Sequence, residues 1–220
     1  MKDLNFRFKP AILNKSRQIA YVVDDDISVC RSLKILLEQH GFRVETFTNA
    51  AGFLDFKHLK VPSCLVLDVR MPGMSGLDLQ NAMIDRQLKI PIVFITSFGT
   101  VSVSVQAMKA GAIDFLPKPF TEEKLLDAME IAITQSKAQN KQQAEINKIK
   151  GDINTLSPRE LEVFHFVTKG MLNKQIASRR GTSLQTIKVH RGHVMLKMHA
   201  KTLTELLHFA HKAGITSLNN

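Results

Sequence analysis

The sequence lacks any run of about 18 apolar residues, the length that a helix needs to cross a membrane, so it predicts no membrane span. Its amino terminus is basic but has no apolar core of the signal-peptide kind, which argues against secretion. It has only two cysteines, Cys30 and Cys64, and both stand in apolar surroundings without metal-ligand spacing. We therefore expect buried, reduced thiols in a cytoplasmic protein.

Acidic residues are scarce toward the carboxyl terminus, where Glu205 is the only one after residue 162. Residues 136–220 carry a net charge of +9, whereas residues 18–135 carry −3. This asymmetry predicts a near-neutral control module joined to a module that binds a polyanion such as DNA.

Residues 17–136 alternate short runs rich in β-branched residues with segments of helical periodicity. The runs CLVLDV and PIVFIT are almost continuously apolar, as in strands of a parallel sheet that is covered on both faces. Five such alternations within about 120 residues predict a doubly wound α/β domain with a five-stranded parallel sheet. In such domains, ligands bind at the carboxyl ends of the strands.

Polar side chains end or follow four of the predicted strands. They are Asp24, Asp25 and Asp26 after the first strand, Asp68 at the third, Thr96 and Ser97 at the fourth, and Lys118 after the fifth. Carboxylates this close repel one another unless a cation lies between them, and oxygen ligands favour a hard ion such as Mg²⁺. Each residue alone would indicate an ordinary turn or a solvated side chain. Together they predict a phosphoryl site on Asp68.

The motifs YVVDDD, CLVLDVRMPGMSG, PIVFITS and AGAIDFLPKPF resemble the receiver domain of two-component response regulators, over residues 17–136. The resemblance implies the strand order 2-1-3-4-5 and a phosphoryl group that Asp68 accepts from a sensor histidine kinase. It also implies a Mg²⁺ ion whose ligands are Asp24 (partly through water), Asp25, Asp68 and the backbone carbonyl of Arg70. Asp26 has no metal role in this interpretation and is expected to cap the first helix.

The same resemblance implies catalytic roles for Thr96 and Lys118 and a conformational switch. Thr96 would swing toward the phosphoryl group while Phe115 moves inward, which would bias the helix predicted over residues 101–110. Phe98 stands where family members often carry a polar residue. We expect it either to shield the acyl phosphate from hydrolysis or to be a surface aromatic without effect.

Residues 1–16 are expected to form an N-terminal extension, and residues 137–153 to link the two modules. The linker is polar, and Ile146, Ile149 and Ile153 within it fall at helical spacing. Two interpretations remain open: a helix that continues from Thr121, or a partly flexible linker.

Residues 154–220 have the pattern of a four-helix, all-α domain. Ser157, Pro158 and Glu160 form a capping box with proline at the first helical position. Gly170 ends this helix. Two further helices joined through Gly181, the second of them longer and basic, predict a helix-turn-helix motif.

The segments LSPRE, GMLNKQIA and TIKVHRGHVMLKM resemble the LuxR-type helix-turn-helix domain, and the whole chain resembles FixJ-type regulators of the NarL/FixJ class. A recognition helix is predicted over residues 184–198, with Ile187, Val194 and Met198 facing inward. Its expected base contacts are Gln185, Thr186, Lys188, Val189 and Gly192. The expected phosphate contacts are Lys174, Arg179, Arg180, Arg191, Lys197 and Lys201.

These features predict a phosphorylation-switched transcription regulator that dimerises through residues 101–116 and is no enzyme beyond the Mg²⁺-dependent chemistry at Asp68. Its implied partners are a sensor histidine kinase, double-stranded promoter DNA and a second copy of the chain, with RNA polymerase as a further candidate. A phosphorelay component with a protein-binding output is the alternative. An aspartyl-phosphate hydrolase is disfavoured because Arg70 stands where a general acid would be needed. A metal site at His190, His193 and His199 is disfavoured because His190 falls near the inward face.

Overall fold

The computed structural model describes residues 18–97 and 100–215, so Phe98 and the predicted N-terminal extension lie outside the described residues. The chain divides into two compact units, Met1–Asn140 and Lys141–Asn220. Each unit has a hydrophobic core of its own. In the described part of the chain, no helix combines the length and the apolar character needed to cross a bilayer.

Strands and helices alternate in the first unit. They are β1 (Ile19–Val23), α1 (Ile27–Gln39), β2 (Arg43–Phe47), α2 (Ala50–Asp55), β3 (Ser63–Asp68), α3 (Gly76–Asp85), β4 (Ile92–Thr96), α4 (Val101–Lys109), β5 (Asp114–Pro117) and the start of α5 (Glu122–Asn154). The strands pair in parallel in the order β2-β1-β3-β4-β5. The predicted doubly wound fold and its strand order are confirmed.

Both faces of this sheet are covered, which explains the continuous apolar runs in the sequence. Successive side chains of a strand point to opposite faces. Ala20 and Val22 of β1 therefore pack with residues of α1 and α5, whereas Tyr21 and Val23 pack with residues of α2, α3 and α4. Cys30 is buried and unpaired, as predicted.

One helix, α5, includes the whole segment for which the sequence left two interpretations open. The Thr121 hydroxyl accepts a hydrogen bond from the Lys124 amide at 3.4 Å, so Thr121 caps its start. Buried residues occur near both ends of this helix: Met129 lies in the core of the first unit and Ile149 in the core of the second. Apolar packing at both ends stabilises a helix whose middle is polar.

The second unit contains α6 (Pro158–Thr168), α7 (Asn173–Arg180), α8 (Leu184–Lys197) and α9 (Leu203–Lys212). The Ser157–Glu160 capping box forms as predicted at the start of α6. Gly181 has a φ of 60° between α7 and α8, a left-handed conformation that favours glycine. The core lies between these helices and includes the predicted inward residues Ile187, Val194 and Met198, so the helix-turn-helix fold is confirmed.

Candidate phosphoryl-acceptor site and nucleic-acid interface

Four predicted site residues meet at the carboxyl edge of the sheet. Asp24 directly follows β1, Asp68 ends β3, Thr96 ends β4 and Lys118 directly follows β5. These strands lie side by side in the order β1-β3-β4-β5, so their ends share one edge. Asp24 and Asp68 are buried, with 1% and 6% of their surface exposed.

Lys118 lies between the two buried carboxylates. Its Nζ donates hydrogen bonds to Asp24 Oδ2 at 2.7 Å and to Asp68 Oδ1 at 2.9 Å. The other two carboxylate oxygens accept backbone amides, that of Asp26 at 2.9 Å and that of Arg70 at 2.6 Å. A single ammonium group therefore offsets the repulsion between two carboxylates that would otherwise destabilise each other.

The pKa values of the pair follow from burial and charge. Burial raises the pKa of Asp68, and the hydrogen bonds from Lys118 and from the Arg70 amide lower it only in part. Burial alone would lower the pKa of Lys118, but its hydrogen bonds to Asp24 and Asp68 raise that pKa overall. Lys118 therefore holds its positive charge beside Asp68, where a phosphoryl group would add negative charge.

The remaining predicted residues of this edge differ in their surroundings. Thr96 is buried, and its carbonyl oxygen accepts the Lys118 amide at 2.7 Å, which fixes the start of the lysine loop to β4. Asp25 is exposed. Asp26 caps α1, since its carboxylate accepts the Ser28 amide at 2.7 Å, as the sequence suggested. Phe115 is half-buried, with its ring centroid 6.1 Å from that of Phe94.

The donors at this edge fit magnesium. Within residues 18–97 and 100–215, no group of three or more His, Cys, Asp or Glu side chains is arranged to hold a metal ion. Magnesium does not need one, because it usually takes one or two carboxylates and completes its shell with waters and phosphate oxygens. Oxygen donors of this kind are provided by Asp24, Asp68 and the Arg70 carbonyl. In this structure, Lys118 Nζ contacts both carboxylates.

Gly76, the last residue of the motif CLVLDVRMPGMSG, packs closely against the end of β3, a contact that the sequence alone did not indicate. The Gly76 amide donates to the Val69 carbonyl at 2.9 Å, which brings the start of α3 under the end of β3. A Cβ atom at Gly76 would overlap the backbone carbonyl oxygen of Asp68 and lie 3.1 Å from the Phe94 ring. Gly76 therefore supports the backbone of Asp68 by close approach.

In the second unit, α8 presents the predicted base-contacting residues to solvent. These exposed residues are Gln185, Thr186, Lys188, Val189 and Gly192. A Cβ atom at Gly192 would meet no atom within 4 Å, so intramolecular packing does not require glycine there. The helix thus has a buried face toward the core and an exposed face that can enter a DNA groove.

The six predicted phosphate contacts divide into two groups. Lys174, Arg179 and Lys201 are exposed, and Arg179 lies over the Phe166 ring with its guanidinium carbon 5.5 Å from the centroid. The other three have intramolecular partners from other helices, which the local sequence does not indicate. These pairs are Arg180 with Glu162 at 2.7 Å, Arg191 with Asn173 at 2.8 Å and Lys197 with Glu160 at 2.6 Å.

Glu160 joins α6 to α8. It is 5% exposed, accepts the Ser157 amide at 2.8 Å, and has His193 Nδ1 at 3.3 Å in addition to Lys197. The hydrogen bond from Lys197 is the main cause that lowers the pKa of Glu160 to about 2, and the Ser157 amide adds to it. Lys197 is therefore engaged in holding α8 against α6.

Replacing Glu160 by glutamine is expected to destabilise the second unit by about 1.5–3 kcal/mol at pH 7, the usual range for hydrogen bonds to a charged group. The pKa of Glu160 is lower in the folded chain, so its carboxylate stabilises fully above pH 4.5. That contribution disappears as the pH falls from 4.5 to about 2, and the difference from Glu160→Gln should disappear with it. Hydrogen–deuterium exchange of the α8 amides measures this difference in the full chain.

Glu162→Gln is the matched control, because Glu162 also pairs with a basic residue but is partly exposed. The Glu162→Gln substitution should destabilise the second unit by less than about 1 kcal/mol. Equal exchange rates for Glu160→Gln and the wild type at pH 7 would contradict the role assigned to Glu160.

Two family models match the chain: the response regulator receiver domain over residues 20–130, and the bacterial regulatory proteins of the luxR family over residues 154–210. The chain therefore belongs to the response regulators that join a receiver domain to a luxR-type DNA-binding domain. This family consists of transcription regulators, and the resemblance given by the sequence motifs is confirmed.

Among individual proteins, the chain is 43% identical to nodulation protein W of Bradyrhizobium diazoefficiens, over 92% of this chain and 89% of that protein. It is 42% identical to the transcriptional regulatory protein FixJ of the same organism, over 89% of this chain and 95% of FixJ. The solved structure of the response regulator StyR has a TM-score of 0.75 and 42% identity, and the match covers 89% of this chain and 99% of StyR.

Proposed function

We propose that the chain is a phosphorylation-switched transcription regulator. Asp68 accepts a phosphoryl group from a sensor histidine kinase, and the phosphorylated chain dimerises and binds promoter DNA. The observation that carries the proposal is the contact of Lys118 Nζ with the buried carboxylates of Asp24 and Asp68 at the carboxyl edge of a parallel sheet. This arrangement supplies an acceptor and a fixed positive charge, which are the main requirements of phosphoryl transfer.

In the transfer step, a carboxylate oxygen of Asp68 attacks the phosphorus atom of a phosphohistidine on the kinase. A P–O bond forms to Asp68, the P–N bond breaks, and the histidine leaves. Lys118 Nζ lies 2.9 Å from Asp68 Oδ1, where it can pair with the oxygens of the transferred phosphoryl group. In the proposed switch, the Thr96 hydroxyl donates a further hydrogen bond to these oxygens. When Mg²⁺ is bound by Asp24, Asp25, Asp68 and the Arg70 carbonyl, it offsets the charge on the phosphoryl oxygens.

The proposed dimer face comprises residues 101–116. Three apolar side chains of α4 are exposed on it: Val101 at 81%, Val105 at 45% and Met108 at 44%. A phosphoryl group brings roughly −1.5 to −2 charges and new acceptor oxygens to the end of β4, next to the start of α4. Movement of Thr96 and Phe115 in response is the proposed link from Asp68 to this face.

The proposed output is DNA binding by α8 of the second unit. Gln185, Thr186, Lys188, Val189 and Gly192 provide the exposed face for base edges, and Lys174, Arg179 and Lys201 supply exposed positive charge for phosphates. The proposed regulator acts on promoter DNA in the cytoplasm, and RNA polymerase is its proposed downstream partner. The exposed face of α8 is the observation that favours this output over a purely protein-binding phosphorelay.

The full chain incubated with acetyl phosphate tests both halves of the proposal. With Mg²⁺ we expect intact mass to show one phosphoryl group per chain, and with EDTA we expect none. Phosphorylation should also strengthen binding to duplexes selected by the chain from a random-sequence pool, with a steep dependence on salt. A chain that takes up no phosphoryl group would contradict the acceptor site. Phosphorylated chains that show no salt-sensitive, sequence-selective binding to DNA would favour the phosphorelay alternative.

A further inference from the structure

Arg191 is held by a side chain from another helix. Its Nη1 donates a hydrogen bond of 2.8 Å to Oδ1 of Asn173, the first residue of α7, and both residues are partly buried. The contact ties the middle of the recognition helix to the start of the preceding helix. Lys188, almost one turn earlier on α8, is exposed and has no hydrogen bond or ion pair within the described residues.

The partner of Arg191 differs in charge from the partners of the neighbouring basic residues. Arg180 and Lys197 pair with the carboxylates of Glu162 and Glu160, which offset their positive charge. The amide oxygen of Asn173 is neutral, so it orients the Arg191 guanidinium and leaves its charge uncompensated. A guanidinium group carries five N–H donors in a fixed plane, and the bond to Asn173 uses one of them. Arg191 has no other hydrogen bond or ion pair to the residues that the structure describes, so its other donors are available to an external anion.

An oriented and uncompensated cation favours binding to a phosphate. A free arginine loses side-chain conformational entropy when it contacts a ligand, and a side chain that is already held loses less. Arg191 is partly buried beside α7, at the flank of the exposed α8 residues that are predicted to contact base edges, so the DNA backbone is the nearer target.

We propose that Asn173 is a positioning residue for DNA binding, which holds the charged Arg191 guanidinium in the orientation that contacts a DNA phosphate. The inference rests on the proposed DNA-binding function and adds to it a residue of α7, outside the recognition helix. Asn173 acts through Arg191, so its effect on affinity depends on Arg191 being present.

A double-mutant cycle in the full chain tests this dependence. The chains are phosphorylated with acetyl phosphate, and the probe is a duplex that the wild-type chain selects from a random-sequence pool. Asn173→Ala is expected to weaken binding by about three- to tenfold. Arg191→Ala is expected to weaken it by about tenfold or more and to lower the slope of log K against log salt by about one. The double variant is expected to bind no more weakly than Arg191→Ala.

Two further variants separate positioning from general damage to the fold. The fold-changes in DNA affinity caused by Lys188→Ala and by Asn173→Ala should multiply in the double variant, since Lys188 does not contact Asn173. Asn173→Asp retains the acceptor oxygen but compensates the arginine charge. It should therefore lower the salt slope by about one when Arg191 is present and by much less in the Arg191→Ala background.

The proposal is overturned if Asn173→Ala weakens binding by the same factor with and without Arg191, because Asn173 would then act on DNA or on the fold by another route. It is also overturned if Asn173→Ala and Asn173→Asp leave affinity and salt slope unchanged. A wild-type chain that selects no DNA from the pool overturns the proposed function itself, an outcome distinguishable from failure of the cycle.

Discussion

Replacing Asp68 by asparagine is expected to abolish phosphoryl incorporation from acetyl phosphate and to leave DNA occupancy at the unphosphorylated level. An acyl phosphate needs a carboxylate nucleophile, and the amide of asparagine does not supply one. The substitution preserves shape, and the asparagine oxygen can still accept one of the two hydrogen bonds that the Asp68 carboxylate accepts, from Lys118 Nζ at 2.9 Å or from the Arg70 amide at 2.6 Å. The fold should therefore survive while the chemistry is lost. Intact mass and sequencing of bound DNA, with and without acetyl phosphate, measure both effects.

Asp26→Asn is the matched control for this experiment. Asp26 is a carboxylate of the same sheet edge, but it caps α1 through the Ser28 amide, a role that asparagine fills about equally well. Phosphoryl incorporation by this variant should stay close to that of the wild type. Phosphate-dependent DNA occupancy that persists in Asp68→Asn would show that another residue is the acceptor.

Replacing Gly76 by alanine is expected to destabilise the first unit by about 1–3 kcal/mol, the usual range for overpacking, and to slow phosphoryl incorporation. The added methyl group would overlap the backbone carbonyl oxygen of Asp68. A backbone atom cannot move away by a rotamer change, so either the start of α3 or the end of β3 must shift. A shift of β3 would displace the Asp68 carboxylate from Lys118. Urea unfolding, monitored by hydrogen–deuterium exchange of the β3 amides, measures the loss of stability. The rate of phosphoryl incorporation from acetyl phosphate measures the displacement of Asp68.

Gly52→Ala serves as the control, because Gly52 lies in α2 of the same unit and an added Cβ would meet its nearest atom at an ordinary 3.4 Å. Alanine is favoured over glycine inside a helix, so this variant should be as stable as the wild type or slightly more stable. If Gly76→Ala matches the wild type in stability and in labelling rate, the close approach does not constrain Asp68.

The sequence alone was sufficient for the alternation of strands and helices in residues 17–136 and for the position of the candidate acceptor, Asp68. Apolar runs and helical periodicity predict the alternation of strands and helices because these patterns are local. Parallel pairing then places Asp24, Asp68, Thr96 and Lys118 at one edge, since the strand ends of such a sheet meet there. Local capping chemistry likewise predicts the start of α6 at Ser157.

Only the tertiary structure decided which polar groups pair across elements. Lys188, Arg191 and Lys197 all lie on one basic helix, and their local sequence does not show which of them has an intramolecular partner. The packing of α8 against α6 and α7 brings Glu160 to Lys197 and Asn173 to Arg191 while Lys188 stays exposed. Such pairings depend on contacts between residues distant in sequence. The close approach of Gly76 to Asp68 was hidden for the same reason.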